Sequence, residues 1–290
     1  MPFVRIPFRI VDVFTDWPLS GNQLCVIPDP VELSVESMQS IAREIGFSET
    51  TFVTRAGGDR YAMRIFTPGA ELPFAGHPSL GTAFVLVSEG RVTSPATQVV
   101  AVGEVPMSVD LQAGTARMRQ FPPVFGAEVS DRQQLASTIG LSPEELHAEL
   151  PAQIVSTGID VLVVPARDEA AVARARPNPS LLATFLESVG TDGLYLFAAN
   201  TDSIAKERFF AAGIGIDEDA ATGSAAGPCG AYLAERGILP PGRLTITQGV
   251  EMSRPSTLLV DVDRLEDGTW EVHVGGGVAK VAEGEFDLPL

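Results

Sequence analysis

Three residues of this chain stand where a side chain could move a proton: Glu49, His77 and Asp219. Glu49 lies between Phe47 and Phe52, just after the helix-stopping Gly46. Held in an apolar cleft, such a carboxyl binds its proton more tightly and becomes a usable acid/base. His77 follows Ala75-Gly76 at a place where a helix ordinarily starts with Ser, Thr, Asp or Asn. Beside a helix N-terminus the neutral imidazole is favoured, so His77 can act as a donor or proton partner at neutral pH. Asp219 precedes Gly223-Ser224 in a matching loop further along. Each residue also has an ordinary reading: a solvated loop glutamate, a core histidine, an acid complementing a helix dipole. Together, with two glycine-led helix starts, they describe a site that binds a carboxylate and moves a proton beside it.

The elements that must position them occur twice. Arg64 to Gly90 reads as the end of a strand, a Pro/Gly loop and a helix beginning at His77-Pro78. Pro78 suits the first helical position and Gly90 the residue past the end. The helix body, Leu80 to Val87, is apolar on nearly every side and is expected to be buried all round. Ala205 to Gly237 repeats the order of strand, loop, Gly-polar-small and apolar helix, with Arg208 answering Arg64 and Gly237 answering Gly90. The parallel extends outward: Gly21 with Cys25-Val26-Ile27-Pro28 answers Gly158 with Leu162-Val163-Val164-Pro165, and Gly103 with Met107-Ser108 answers Gly249 with Met252-Ser253. Two pseudo-symmetric halves are expected, with Phe121-Pro122-Pro123-Val124 as the crossing between them.

The remaining pattern fills in around these centres. Ser34 caps a helix over 35–45, the stretches 97–102, 104–111 and 116–120 form an antiparallel meander, and 131–139 and 142–150 are helices, the second opened by the capping box Ser142 to Glu145. Asn178-Pro179 opens another helix, 180–189. The end is strand-rich, with Gly275-Gly276-Gly277 as a break. With 290 residues, a net charge of −17 and no Lys/Arg run, nucleic acid is a poor partner. No apolar run reaches membrane-spanning length and no signal-type segment opens the sequence, so a soluble, cytoplasmic protein is expected. Two cysteines, Cys25 and Cys229, offer neither a disulfide framework nor metal-type spacing.

Four stretches carry a resemblance: Gly46-Phe47-Ser48-Glu49-Thr50-Thr51-Phe52-Val53, Phe66-Thr67-Pro68 through Leu72-Pro73-Phe74-Ala75-Gly76-His77-Pro78, Glu218 to Ala225, and Gln248-Gly249-x-x-Met252-x-Arg254-Pro255-Ser256. The chain resembles the phenazine-biosynthesis PhzF-like family over nearly its whole length. The resemblance implies an α+β protein with the diaminopimelate-epimerase-like fold, two pseudo-symmetric α/β halves each wrapping strands around a central helix. Residues 1–122 would form the N-terminal half, recruiting the C-terminal strand at about 279–290, and 123–290 the other, with the active site in the cleft between them. It implies an isomerase without cofactor or metal, acting on a small carboxylate of the 2,3-dihydro-3-hydroxyanthranilate type, and a homodimer. Carried over, Glu49 is the base, His77 and Asp219 assist proton movement, and Ser48, Gly76, Gly223 and Ser224 bind substrate.

Related amino-acid racemases and epimerases use two cysteines, one on each side of the α-carbon. Here the corresponding loops carry Ala75-Gly76 and Thr222-Gly223, which disfavours two-thiol chemistry. A racemase lacking the thiol pair and a non-catalytic small-molecule binding protein are the alternatives.

Overall fold

The computed structural model describes residues 3–29, 32–101, 103–200 and 202–289, and its contacts group the chain into two units: 1–119 with 275–290, and 120–274. Unit 1 opens with β1 (Phe3–Val13) and β2 (Asn22–Ile27), paired antiparallel. α1 (Val35–Ile45) follows, started by Ser34, whose hydroxyl accepts from the Ser37 amide at 3.2 Å, and stopped by the left-handed Gly46. Its apolar face, Met38, Ile41 and Ala42, packs with Ile6, Cys25, Ile27, Phe52 and Phe66. β3 (Glu49–Gly57) runs parallel to β2, and β4 (Arg60–Phe66) returns antiparallel. After the two-residue β5 (Glu71–Leu72) comes α2 (Gly76–Ser88), buried on all sides from Gly76 to Leu86. β6 (Ala96–Val100), β7 (Gly103–Asp110) and β8 (Thr115–Arg119) form the meander; Val102, placed by sequence in the first of these strands, lies outside the described residues. β1, β2, β3, β6, β7 and β8 all contact α2, which explains why a helix apolar on every face is stable here: no side of it meets water.

Unit 2 begins with β9 (Val124–Val129) and α3 (Arg132–Thr138), then β10 (Ala152–Ser156) and β11 (Asp160–Pro165). α4 (Glu169–Arg174) and α5 (Pro179–Val189) precede β12 (Leu194–Ala199), which is parallel to β11. β13 (Ile204–Ala211) is antiparallel to β12 and carries the short β14 (Ile216–Asp219) at its side. α6 (Gly223–Glu235) is again buried almost throughout, against β10, β11 and β16. β15 (Gly242–Gln248) runs parallel to β13 and antiparallel to β16 (Ser256–Arg264). Strand for strand, β11, β12, β13 and β15 repeat the pairing senses of β2, β3, β4 and β6. The registers agree in detail, since Phe52 faces Arg64 as Leu196 faces Arg208.

Two expectations are corrected. Residues 142–150 do not form a helix: the capping box at Ser142 and Glu145 is present, yet it opens a single 3-10 turn, Pro143–Glu145. Beyond it Leu146 bridges to Ala166 and the His147 amide bonds to Pro165 O at 2.9 Å, so β11 takes the backbone groups a helix would need. Nor do the three glycines break the last strand, β17 (Trp270–Pro289), which passes through them and pairs with β1 from Val278 onward. They serve close approach instead. A Cβ at Gly275 would lie 2.6 Å from Ala116 O, and one at Gly277 2.6 Å from Thr15 O. The Gly277 carbonyl accepts from the Phe14 and Thr15 amides at 2.7 and 3.2 Å. No helix among the described residues is long and apolar enough to cross a membrane.

Candidate active site

In unit 1 the parallel pairing of β2 and β3 sets Leu24 opposite Glu49, the first residue of its strand, close to Asn22 and Gln23. α2 delivers His77 to the same place from its first turn. Glu49 and His77 are 7% and 3% exposed, and His77 Nε2 lies 3.4 Å from Glu49 Oε2. The imidazole is held at both ends. Asn22 Nδ2 is 3.1 Å from Nδ1, and the Gln23 carbonyl is 3.3 Å from Nε2. Ser48 Oγ donates to Asn22 Oδ1 at 3.4 Å, which turns the Asn22 amide nitrogen toward the ring. An amide nitrogen can only donate and a carbonyl can only accept, so Nδ1 is the acceptor and Nε2 bears the hydrogen. Burial pushes His77 down to about 3, against the opposing pull of the Gln23 carbonyl, so the ring is neutral at physiological pH.

α2 starts after Ala75, which offers no side chain to cap it, and its first turn holds no acid. The leading amides of Gly76 and His77 have no intrahelical acceptor and no cap from Ala75, and with the helix dipole they favour an anion. A donor-bearing neutral imidazole, a carboxyl and a helix start thus converge within one unit. This arrangement can hold a carboxylate and exchange a proton with a neighbouring carbon. Sequence reasoning placed Ser48, Glu49, Gly76 and His77, and the structure brings all four together. Nothing in the sequence singled out Asn22, one of two adjacent amides at the head of β2.

In unit 2, Asp219 ends β14, 8% exposed, and its Oδ2 accepts from Thr222 Oγ1 at 2.5 Å. Gly223 and half-buried Ser224 open α6 after Thr222, which also makes no side-chain cap. Gln120 Nε2 donates to Gly223 O at 2.8 Å. Both thiols stand apart from this chemistry. Cys25 and Cys229 are fully buried, the first pushed up to about 12 and the second also raised, so neither is a ready proton carrier. Among the described residues no group of three His, Cys, Asp or Glu side chains is placed to hold a metal ion.

Doubled strand-wrapped helices give the chain the diaminopimelate-epimerase-like fold, and near-full-length relatives at about 35% identity make it an isomerase. The sequence pattern of the phenazine biosynthesis-like proteins, PhzC-PhzF, matches residues 11–284. The chain belongs to this family. A trans-2,3-dihydro-3-hydroxyanthranilate isomerase from Pseudomonas aeruginosa is 35% identical, the match covering 97% of this chain and 99% of that protein. A PhzF-family phenazine biosynthesis protein from Bacillus anthracis is 29% identical with a TM-score of 0.87, covering 98% and 99% of the two chains. A hydroxyproline epimerase from Agrobacterium vitis, 11% identical over 98% and 93% of the chains, shares the fold with a TM-score of 0.67.

Proposed function

We propose that the protein isomerises a small unsaturated carboxylate of the trans-2,3-dihydro-3-hydroxyanthranilate type by carrying a proton from one carbon to another on Glu49. The observation that carries this reading is the buried Glu49 carboxyl 3.4 Å from a neutral, Nε2-protonated His77 at an uncapped helix start. Glu49 takes the proton as the C–H bond breaks, the electron pair moves into the conjugated system, and the same carboxyl returns the proton at a second carbon. His77, its Nε2–H held by the Gln23 carbonyl, stands beside the carboxylate as a neutral polar neighbour, and the α2 amides hold the substrate carboxylate and the charge that develops in the enol-like state. Ser48 and Gly76 take substrate-binding roles, the first through Asn22 and the second by letting backbone come close. The proposal extends to Asp219, Gly223 and Ser224 of unit 2, with Asp219 assisting proton movement.

The same reading takes the reaction to need no cofactor or metal and the protein to be a cytoplasmic homodimer. The family resemblance supports these points, and light scattering tests the stoichiometry. The chemistry is tested by proton NMR in deuterated water with trans-2,3-dihydro-3-hydroxyanthranilate, comparing wild type with Glu49→Gln. Deuterium entering product with wild type alone is expected; equal incorporation by the variant removes Glu49 from the role.

A further inference from the structure

The motif Gln248-Gly249-x-x-Met252-x-Arg254-Pro255-Ser256 carries no side chain assigned above to the reaction, yet it grips the segment that ends in α6. Gln248 is 1% exposed and its amide is used at both ends. Its Oε1 accepts from the Thr222 amide at 3.0 Å and from the Tyr195 hydroxyl at 3.2 Å, while its Nε2 donates to Asp219 O at 2.9 Å and Thr222 Oγ1 at 3.1 Å. Tyr195 is fully buried, which keeps its proton on and makes it a standing donor. Two donors on Oε1 fix which way the amide faces. Thr222 Oγ1 then receives a hydrogen from Nε2, and its own hydrogen has one direction left, toward Asp219 Oδ2 at 2.5 Å.

The rest of the motif closes the grip. Gly249 holds φ at +74°, and a Cβ there would sit 2.5 Å from Ala220 O and 2.4 Å from Arg254 O, so only glycine lets the two segments meet. The Arg254 amide returns to Gly249 O at 3.0 Å. Ser256, opposite Gln248 in the β15–β16 ladder, has its hydroxyl 3.1 Å from Ala220 O and 2.9 Å from Arg254 O.

We infer that the hairpin from Gln248 to Ser256 is a clamp on Asp219–Thr222, and that Gln248 and Thr222 are positioning residues that aim the Asp219 carboxylate through the directed chain Tyr195 to Gln248 to Thr222 to Asp219. The inference rests on the proposed reading in which Asp219 assists the proton transfer. The clamp explains the order of the motif: an amide to read two backbone groups and a hydroxyl, a glycine for contact, a tight turn, and a hydroxyl to hold the second carbonyl. Tyr195, on β12, is itself faced by Glu207 on β13 and Cys229 on α6.

Thr222→Val removes one donor from the Asp219 carboxylate and keeps the side-chain volume. Losing a hydrogen bond to the charged form strengthens proton binding, so the acid limb of kcat moves to higher pH by about one unit. kcat at neutral pH falls about tenfold with a smaller change in KM. Thr222→Ser restores the hydroxyl and both readouts, which a packing defect would not allow. Gln248→Leu, which releases the hydroxyl, moves the limb in the same direction. A Thr222→Val enzyme with an unmoved acid limb overturns the clamp. A carbon-13 titration of the Asp219 carboxyl in wild type and Thr222→Val reads the same upward shift without turnover, and identical titrations overturn the clamp on its own terms. Asp219→Asn, assayed alongside with trans-2,3-dihydro-3-hydroxyanthranilate, separates the two failures: full turnover by it overturns the catalytic role of Asp219, and with it the positioning role inferred here.

Discussion

At the start of α2 stand a histidine, a carboxyl and an amide; at the start of α6, in the equivalent places, stand Ser224, Gly193 and Ile159. The equivalences follow from the strand registers, in which Phe52 and Leu196 face matching arginines and Glu49 and Gly193 each lie three residues earlier. At Gly193 an added Cβ would lie 2.5 Å from the Phe209 ring, so an aromatic fills the place of a side chain. Unit 2 has instead an acid with no twin: Asp219 falls opposite Phe209 as Leu72 falls opposite Ile65. The two units repeat their frames and differ in the groups placed on them. A frame is held by burial and register, which many sequences satisfy, whereas a reacting group must be of one type at one point.

The largest effect expected from this contrast is at Glu49. Glu49→Gln keeps the shape and removes the proposed base, so turnover is expected to fall about 10³-fold, within the range a positioned acid/base contributes, while the melting temperature barely moves. Ser224→Ala, at the matching helix start, costs about tenfold or less. Equal losses from the two would erase the division of labour.

Next comes the ion pair that both units share. Arg64 binds Glu71 through two bonds, at 2.7 and 2.6 Å, and lies over Phe66; Arg208 binds Glu218 at 2.8 and 2.7 Å and lies over Phe210. The Arg208 side chain is 5% exposed and also bonds the Val172 and Ala175 carbonyls, whereas that of Arg64 is 32% exposed. Arg208→Ala is therefore expected to cost about 3 kcal/mol, since half-buried Glu218 loses its partner and the Val172 and Ala175 carbonyls lose their donor. Arg64→Ala costs about 1 kcal/mol or less. Urea denaturation of both variants checks the difference.

A subtler asymmetry is Glu207, fully buried, its unit 1 equivalent being Met63. Neither of its oxygens has a hydrogen bond of ordinary geometry, and burial pushes it up to about 8. The folded protein thus holds a proton that the unfolded chain releases above the ordinary glutamate value of 4.5. Stability from this group is complete below 4.5 and is lost as pH rises toward 8, at up to about 1.4 kcal/mol per pH unit. His77 works in the other direction: lowered from 6.5 to about 3, it contributes stability above 6.5 that is lost as pH falls toward 3. Between 4.5 and 6.5 the two slopes oppose. Glu207→Met is expected to flatten the alkaline loss and to unmask the His77 slope, read as unfolding free energy against pH. An unchanged profile would show that Glu207 stays ionised in the fold. Last comes Gly193→Ala, expected to cost about 1 kcal/mol by pushing Phe209 aside.

Much of the frame was legible because its signals are local. Ser34 and Gly46 bracket α1, Asn178-Pro179 opens α5, and an all-apolar helix after a glycine loop announced its own burial. Glu49 and His77 could be named from their neighbours, but their meeting depends on strand order. Asn22 was missed as a site residue because its partner is 55 positions away. The Gln248 clamp was visible only as a run of letters, since every group it holds lies on another segment. Where local rules misled, at Ser142 and at Gly275 to Gly277, contacts distant in sequence outweighed them: β11 drew the backbone out of a helix, and close packing needed glycine inside a strand.

The shared arginine–glutamate pair has a further consequence, for how such a chain can change. Seven positions separate its partners in unit 1 and ten in unit 2, while the bond lengths stay alike. The pair acts as a buckle on a loop of adjustable length: insertions between the partners leave the helix and its strands in place. Loop length can therefore change inside the buckle, in descendants or at the bench, without rewriting the fold that carries it.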